Sequence, residues 1–420
     1  MKNIVLSLLL YTCVALQLSG ECPLVFPSVE GASVGISIVR LSDRRVVAEH
    51  DIDRLMTPAS VLKCLTAATA QLSLPEDFTF STGLKLHGDV DGSGTFKGMI
   101  TVVGGYDPTL DSRFFPEREP FAAWAVKRLR DSGIRRVVGG MGDFPEEVPE
   151  DAVSRYWLLE DVDWEYGAGC YPVNYCDNSY VESIGRLADR CPASTLCFKL
   201  TLRMEAEGIQ FVPEVGVESP ETEAMDVSSD TPAGLSDALS WKYLSPERDD
   251  ILKVMMHRSD NLYAESMLRA PMIHARGGAE SLEIRGDSAL VMQRELWSAR
   301  GIDLGRGRVV DGSGLAPVNK LSARMLADVL CSMAKSPQYV GLFPLAGRDG
   351  TVRNFLRSTP LAGRMAVKSG SMTGVLCYAG YVLDKAGKPT HVAVVMVNNF
   401  TCQTSQVKSA IATYLSRLLK

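Results

Sequence analysis

No stretch of this chain gathers Lys and Arg into a block able to neutralise several phosphates. Its 44 basic residues face 50 acidic ones, for a net charge of -6, and that balance argues against nucleic acid as a partner. Past residue 20 no apolar run approaches the ~18 positions that span a bilayer. His391 to Val397 has only the length of a strand, so no transmembrane segment is expected. Histidine is scarce, and His50, His87, His257, His274 and His391 show no metal-ligand spacing. They read as ordinary surface or core histidines; no metal and no cofactor is expected. Internal repeats and low-complexity tracts are also missing. With 46% apolar and 22% charged residues over 420 positions, the composition is that of a globular protein of two or three domains.

The first residues do carry a signal. Lys2 and Asn3, the apolar run Ile4 to Leu16 and the small pair Ser19-Gly20 have the order of a secretory leader, so residues 1–20 are expected to direct export to the periplasm. A lipid anchor at Cys22 is disfavoured because Glu21 occupies the place of a small residue. Ten cysteines are too few for a disulfide scaffold, yet Cys170, Cys176, Cys191 and Cys197 cluster. Each pair is six positions apart, too wide for a zinc knuckle, and an oxidising compartment favours at least one disulfide among them.

Val34 to Leu41 and Val46 to His50 read as a hairpin, and 363–369, 375–383 and 390–398 as three further strands. An amphipathic helix over Gln403 to Leu419 closes the chain. Helical patterns cover 58–72, 246–258, 261–269, 286–300 and 322–334, with Thr57-Pro58 and Ser245-Pro246 as the clearest caps. Residues 76–235 differ in texture, with strand-like pieces, a Gly-rich region from Gly88 to Gly105 and an acidic segment from Glu214 to Asp230. They read as a β-rich inserted accessory domain.

The helix after Pro58 is apolar nearly all round, yet it opens with Ser60 and carries Lys63. Spacing of i to i+3 puts both on one face. Burial lowers an amine's pKa, so the pair can work as a serine nucleophile with a lysine base. Ser259-Asp260-Asn261 falls in a break between helices, where its polar groups can reach a cleft. Lys368-Ser369-Gly370 ends a strand pattern and Ser371 follows; the glycine permits close approach to the strand, and the amine and hydroxyls can hold a carboxylate.

Each motif alone is weak, but S-x-x-K, S-D-N and K-[ST]-G in this order form the set of serine β-lactamases and penicillin-binding proteins. Pro58 to Lys63, Gly104 to Leu110, Ser259 to Asn261 followed by Ala264-Glu265, Asp311 to Leu315 and Gly347 to Thr351 resemble the D-alanyl-D-alanine carboxypeptidase/endopeptidase family of low-molecular-mass penicillin-binding proteins. The resemblance covers residues 30–420. It implies an α/β (α+β) fold: a β-lactamase/transpeptidase-like catalytic domain, an antiparallel sheet flanked by helices, formed by 21–75 and 236–420. The accessory domain 76–235 interrupts it between the first and second motifs. Ser369 stands where the family more often has Thr, and the insertion is short after Asn178.

The resemblance further implies peptidoglycan stem peptides as substrate and β-lactam antibiotics as covalent inhibitors. Catalysis would rest on Ser60, Lys63, Ser259, Asn261 and Lys368, and substrate binding on Ser369, Gly370 and Ser371. Three other readings compete. A Ser-His-Asp hydrolase would use the G-x-S-x-G letters of Gly31 to Gly35, but Ser33 lacks a strand before it and a helix after it. A β-lactamase would need a deacylating Glu in an E-x-x-L-N pattern, and Leu-Asn occurs nowhere. A non-catalytic cell-wall-binding protein is opposed by the intact nucleophile and base. An insertion whose ends both return to the catalytic helices is also expected to be removable with acylation of Ser60 retained.

Overall fold

The computed structural model describes residue 29 and residues 31–144, 149–214, 239–278 and 284–419. The leader expected over residues 1–20, Cys22 and most of the acidic segment lie outside the described residues.

Five antiparallel strands form the main sheet: β1 (Ser33–Arg40), β2 (Val46–His50), β10 (Met365–Met372), β11 (Val375–Leu383) and β12 (Pro389–Asn398), in the order β10-β11-β12-β1-β2. The two ends of the chain therefore share one sheet. Every residue of β11 is buried, because both faces are covered. Cys377, Ala379 and Tyr381 face one core and Leu376, Tyr378 and Val382 the other, the period-2 alternation of a strand. The second core is closed by the C-terminal helix (Thr404–Leu418) through Val407, Ile411, Tyr414 and Leu415.

The first core holds the helices α1 (Lys63–Ser73), α4 (Arg248–Arg258), α5 (Asn261–Ala275), α6 (Gly286–Ala299), α7 (Ala323–Met333) and the short α8 (Pro337–Gly341). α1 is entered through a 3-10 turn at Ala59–Leu62, and its first eight residues are all buried. Its Cys64, Leu65, Ala67 and Ala68 are compact enough for close approach by neighbouring helices. α5 runs past the expected end at residue 269 and through Pro271. Thr57-Pro58 and Ser245-Pro246 do not cap. Thr57 instead pairs its backbone with the Asn398 side chain, and Ser245 Oγ accepts the Phe80 N–H at 2.8 Å.

A second sheet of order β8-β5-β4-β3-β9 comprises β3 (Ser81–Val90), β4 (Thr95–Val103), β5 (Arg136–Phe144), β8 (Gln210–Pro213) and β9 (Leu239–Leu244). Its last strand lies beyond residue 235. β4–β5 and β5–β8 are parallel, with α2 (Phe121–Asp131) and α3 (Pro192–Ala206) as crossovers; this is an α/β layer where the sequence read as β-rich. Gly88, Gly98 and Gly139 form a row across β3, β4 and β5. A Cβ at Gly139 would lie 1.9 Å from the Gly98 carbonyl oxygen, so only glycine fits. A two-stranded hairpin, β6 (Ser179–Glu182) and β7 (Gly185–Ala188), completes this part.

The cysteine expectation is corrected: Cys170, Cys176, Cys191 and Cys197 are all free thiols. Cys170 is drawn into the first core and sits 3.4 Å from Ser266 Oγ on α5. Cys176 packs against the core of the second sheet, whereas Cys191 is exposed at the start of α3. Ser33 opens β1, and its hydroxyl accepts from Arg54 and Asn399; no nucleophile elbow forms. Among the described residues no cluster of three or more His, Cys, Asp or Glu is placed to hold a metal ion, and no helix is long and apolar enough to cross a membrane.

Candidate active site

Ser60 sits in the 3-10 turn just ahead of α1, and Ala59 before it has φ 48, a left-handed conformation that a non-glycine residue adopts only when its surroundings enforce it. Here they do. Gly314 lies so close that a Cβ on it would meet the Ala59 carbonyl oxygen at 2.1 Å. Thr57 N–H is held by Asn398 Oδ1 at 2.7 Å on β12, and Gly370 of β10 passes within contact of the Ser60 backbone N.

Lys63 Nζ is fully buried and has three partners: Ser60 Oγ at 3.0 Å, Asn261 Oδ1 at 2.7 Å and the Ser313 carbonyl at 2.7 Å. A neutral amine has two N–H groups and one lone pair. The amide and carbonyl oxygens can only accept, so they take the two N–H groups. The lone pair is left for the Ser60 hydroxyl, the one partner able to donate. Burial lowers the Lys63 pKa to about 8, although Asp260, Asp311 and Glu265 pull the other way.

The S-D-N segment joins α4 to α5. Ser259 takes the left-handed αL conformation that ends α4, and Asp260 Oδ1 caps α5 by accepting the Tyr263 N–H. That break leaves Asn261 on the first turn of α5, facing α1. Burial, reinforced by Asp177, raises the Asp260 carboxyl to about 6. Lys368 projects from β10 and donates to Ser259 Oγ at 2.8 Å and to the Ser369 carbonyl at 2.7 Å. Burial holds its pKa well below the usual lysine range, and the Lys63 charge adds to the effect.

β10 is the edge strand of its sheet. Val367 N–H donates to the Pro344 carbonyl, on the side away from β11. By strand alternation the N–H groups of Ser369 and Ser371 point to that same outer side. Ser371 is exposed, and Ser369 Oγ is 2.8 Å from Thr351 Oγ1. Ser60, Lys63, Ser259, Asn261, Lys368, Ser369, Gly370 and Ser371 thus converge from the 3-10 turn and start of α1, the α4–α5 break and the edge of β10.

Residues 23–208 and 193–418 match the D-Ala-D-Ala carboxypeptidase 3 (S13) family. The chain belongs to that family. It is similar to the D-alanyl-D-alanine carboxypeptidase DacB of Haemophilus influenzae, 25% identical over 86% of this chain and 84% of the relative. The D-alanyl-D-alanine carboxypeptidase of an Actinomadura species is 24% identical over 89% of this chain and 79% of that protein. The fold matches the crystal structure of Haemophilus influenzae penicillin binding protein 4, with a TM-score of 0.73 at 20% identity, over 93% of this chain and 96% of that one. A predatory endopeptidase of Bdellovibrio bacteriovorus acylated by penicillin G has the same fold at a TM-score of 0.53 and 16% identity. The chain is accordingly a serine-type carboxypeptidase hydrolase, on a β-lactamase/transpeptidase-like fold.

The carboxypeptidase site also contains groups that the motifs do not name. The Ser313 carbonyl reaches Lys63 because its loop is clamped. Glu265 Oε1 accepts Gly312 N–H at 3.0 Å and Ser313 N–H at 2.9 Å, and Thr66 Oγ1 donates to the Gly312 carbonyl at 2.6 Å. Burial beside Asp311 raises Glu265 to about 7, against the pull of Arg269. Asp311 binds the N–H groups of Gly314 and Ala316, each at 2.8 Å, and takes a hydrogen bond from Trp157 Nε1 at 3.0 Å. Trp157, the Tyr166 carbonyl on Asn261 Nδ2 and Asp177 on the Ser112–Tyr263 hydroxyl pair all lie between residues 76 and 235. The Asp311 to Leu315 and Gly347 to Thr351 segments were recognisable in the sequence. Nothing there marked the Ser313 and Tyr166 contacts, since any residue can supply a backbone carbonyl.

Proposed function

We propose that this carboxypeptidase is an exported, periplasmic D,D-peptidase that cleaves the D-Ala-D-Ala ends or the peptide cross-links of peptidoglycan through an acyl-enzyme on Ser60. The arrangement that carries the reading is the buried Lys63 amine, 3.0 Å from Ser60 Oγ with its two other partners both acceptors. Lys63 takes the Ser60 proton as Oγ bonds to the carbonyl carbon of the penultimate D-Ala. The C–N bond then breaks, and the proton passes to the leaving nitrogen through Ser259, which Lys368 holds at 2.8 Å. Water repeats the sequence in reverse, attacking the ester and returning Ser60 to its hydroxyl form.

The N–H groups of Ser60 and Ser371 form the oxyanion hole in this reading, each donor typically worth ~10²–10³ in rate. Asn261 orients Lys63 and the substrate amide. Ser369 and Ser371 bind the terminal carboxylate beside the Lys368 amine, and Gly370 leaves the room that lets β10 lie against the nucleophile. Penicillin carries the same carbonyl and carboxylate, so it acylates Ser60 in place of the peptide. The insertion, read as a domain over 76–235 with its last strand at Leu239–Leu244, braces the site.

Intact-mass analysis with a labelled penicillin, followed by peptide mapping, tests this. One adduct on Ser60 that outlasts acylation by a wide margin is the expected result. An unlabelled protein, or an adduct on Ser33 or Ser313, would overturn the assignment. Mass spectrometry of peptidoglycan digests then distinguishes end-trimming from cross-link cleavage.

A further inference from the structure

Gly347 to Thr351, one of the segments that resemble the family, supplies no group to Lys63, whose three partners lie elsewhere. It leads into a 3-10 turn, Gly350–Val352, packed between α4 and the edge strand β10. Gly350 has φ 51, and a Cβ on it would lie 2.6 Å from the His257 carbonyl oxygen. Only glycine lets the turn sit this close to α4, at a point two residues ahead of Ser259. Val352 is buried, and its carbonyl accepts the Gly347 N–H at 3.0 Å. The turn is thereby fixed against two elements that lead into site residues.

What it presents there is Thr351. Thr351 Oγ1 lies 2.8 Å from Ser369 Oγ on β10, and among the described residues each hydroxyl's one partner is the other. Two hydroxyls hold two protons, and the bond between them uses one. The pair is exposed, so it has donor capacity to spare at the surface. Its surroundings suit an anion. The Lys368 amine donates to the Ser369 carbonyl at 2.7 Å, and Asp349, two positions before Thr351, lines a groove beside His257 that neither Thr351 nor Ser369 enters. Ser369 and Ser371 stand two strand positions apart, a rise of roughly 7 Å, whereas Thr351 is already at hydrogen-bond distance from Ser369.

We propose that Thr351 determines specificity for a carboxylate on the carbon that bears the leaving nitrogen, its hydroxyl and that of Ser369 each donating to one carboxylate oxygen. On binding, one hydroxyl–hydroxyl bond is exchanged for two charge-assisted ones, the stronger kind. A carboxamide in the same place offers one oxygen and no charge, so it gains less. This role rests on the acyl-enzyme reading of Ser60 and adds to it a group that recognises the end of the substrate.

The test compares the rates at which benzylpenicillin and the matching carboxamide acylate Ser60, followed by intact mass, in the parent, T351V and T351S. Thr351 is exposed, so neither substitution disturbs a core. The parent should favour the carboxylate, T351V should shrink that preference about tenfold, and T351S, which keeps the hydroxyl, should retain it. A residue that only supports β10 would slow both probes alike when replaced. Equal slowing, a fall in preference of less than threefold in T351V, or an equal fall in T351S would overturn the proposal. Failure of the Ser60 reading shows differently, as a parent that takes neither probe, and removes this role with it.

Discussion

The Tyr166 carbonyl accepts a hydrogen bond from Asn261 Nδ2 at 2.8 Å. A carbonyl can only accept, so it fixes which end of the amide faces it and turns Asn261 Oδ1 onto Lys63 Nζ at 2.7 Å. A residue of the insertion thereby sets the orientation of a group that holds the base. Replacing 76–235 by a short Gly/Ser linker, expected from sequence to spare acylation, should abolish it even in a soluble product. Retained penicillin labelling would show that Asn261 finds its orientation without Tyr166.

Lys63→Met should fold and lose acylation, because Met fills similar volume in an apolar setting without a base. The expected fall is about 10²–10⁴-fold in the acylation rate, the usual worth of a general base. A folded variant that still forms the penicillin adduct at the parent rate would show that another group takes the proton.

The working form of Lys63 is neutral, and its pKa is lowered to about 8. The neutral fraction grows as pH rises through that value, so the acylation rate should climb from pH 6 and level off above about 8. Stopped-flow acylation with a chromogenic β-lactam would read the curve. A profile flat across that range would remove Lys63 from the base role.

Gly370→Ala should disable the site without unfolding it. An added Cβ would lie 2.7 Å from the Pro58 carbonyl oxygen, 2.8 Å from Val61 N and 2.9 Å from Ser60 N, so β10 must move off the nucleophile and widen the Ser60–Ser371 hole. Losing one oxyanion donor costs ~10²–10³ in rate. Parent-like acylation kinetics in the variant would mean that β10 does not supply that donor.

Trp157→Phe keeps an aromatic ring and deletes the N–H on Asp311 Oδ2, leaving that oxygen with the Ala316 N–H alone. The cost should be about 1–3 kcal/mol of stability, read by chemical denaturation. Acylation should slow as well, because Asp311 begins the loop that presents the Ser313 carbonyl. Unchanged stability and rate together would remove Trp157 from the bracing of that loop.

What could be seen in the sequence follows a physical line. Ser60 and Lys63 are legible because their i, i+3 spacing fixes their geometry locally, and Lys368-Ser369-Gly370 because the motif ends an apolar strand. The main sheet was legible from alternation and turn chemistry. The parallel pairs β4–β5 and β5–β8 were not, since the glycine-rich strands at Gly98, Gly139, Gly140 and Gly142 offer little side-chain pattern to read. The cysteines misled because proximity in sequence is not proximity in space. Cys170 turns into the core of α5, whereas Cys191 stays at the surface.

Lys63 draws its partners from 3, 198 and 250 residues away along the chain. A fragment that ends before Ser313 cannot hold all of them at once, so the Lys63 amine has its full set of partners only when the segments around residues 60, 261 and 313 have come together. A penicillin adduct on this protein is therefore a census of native molecules. Chains that have not yet brought these partners together stay chemically silent.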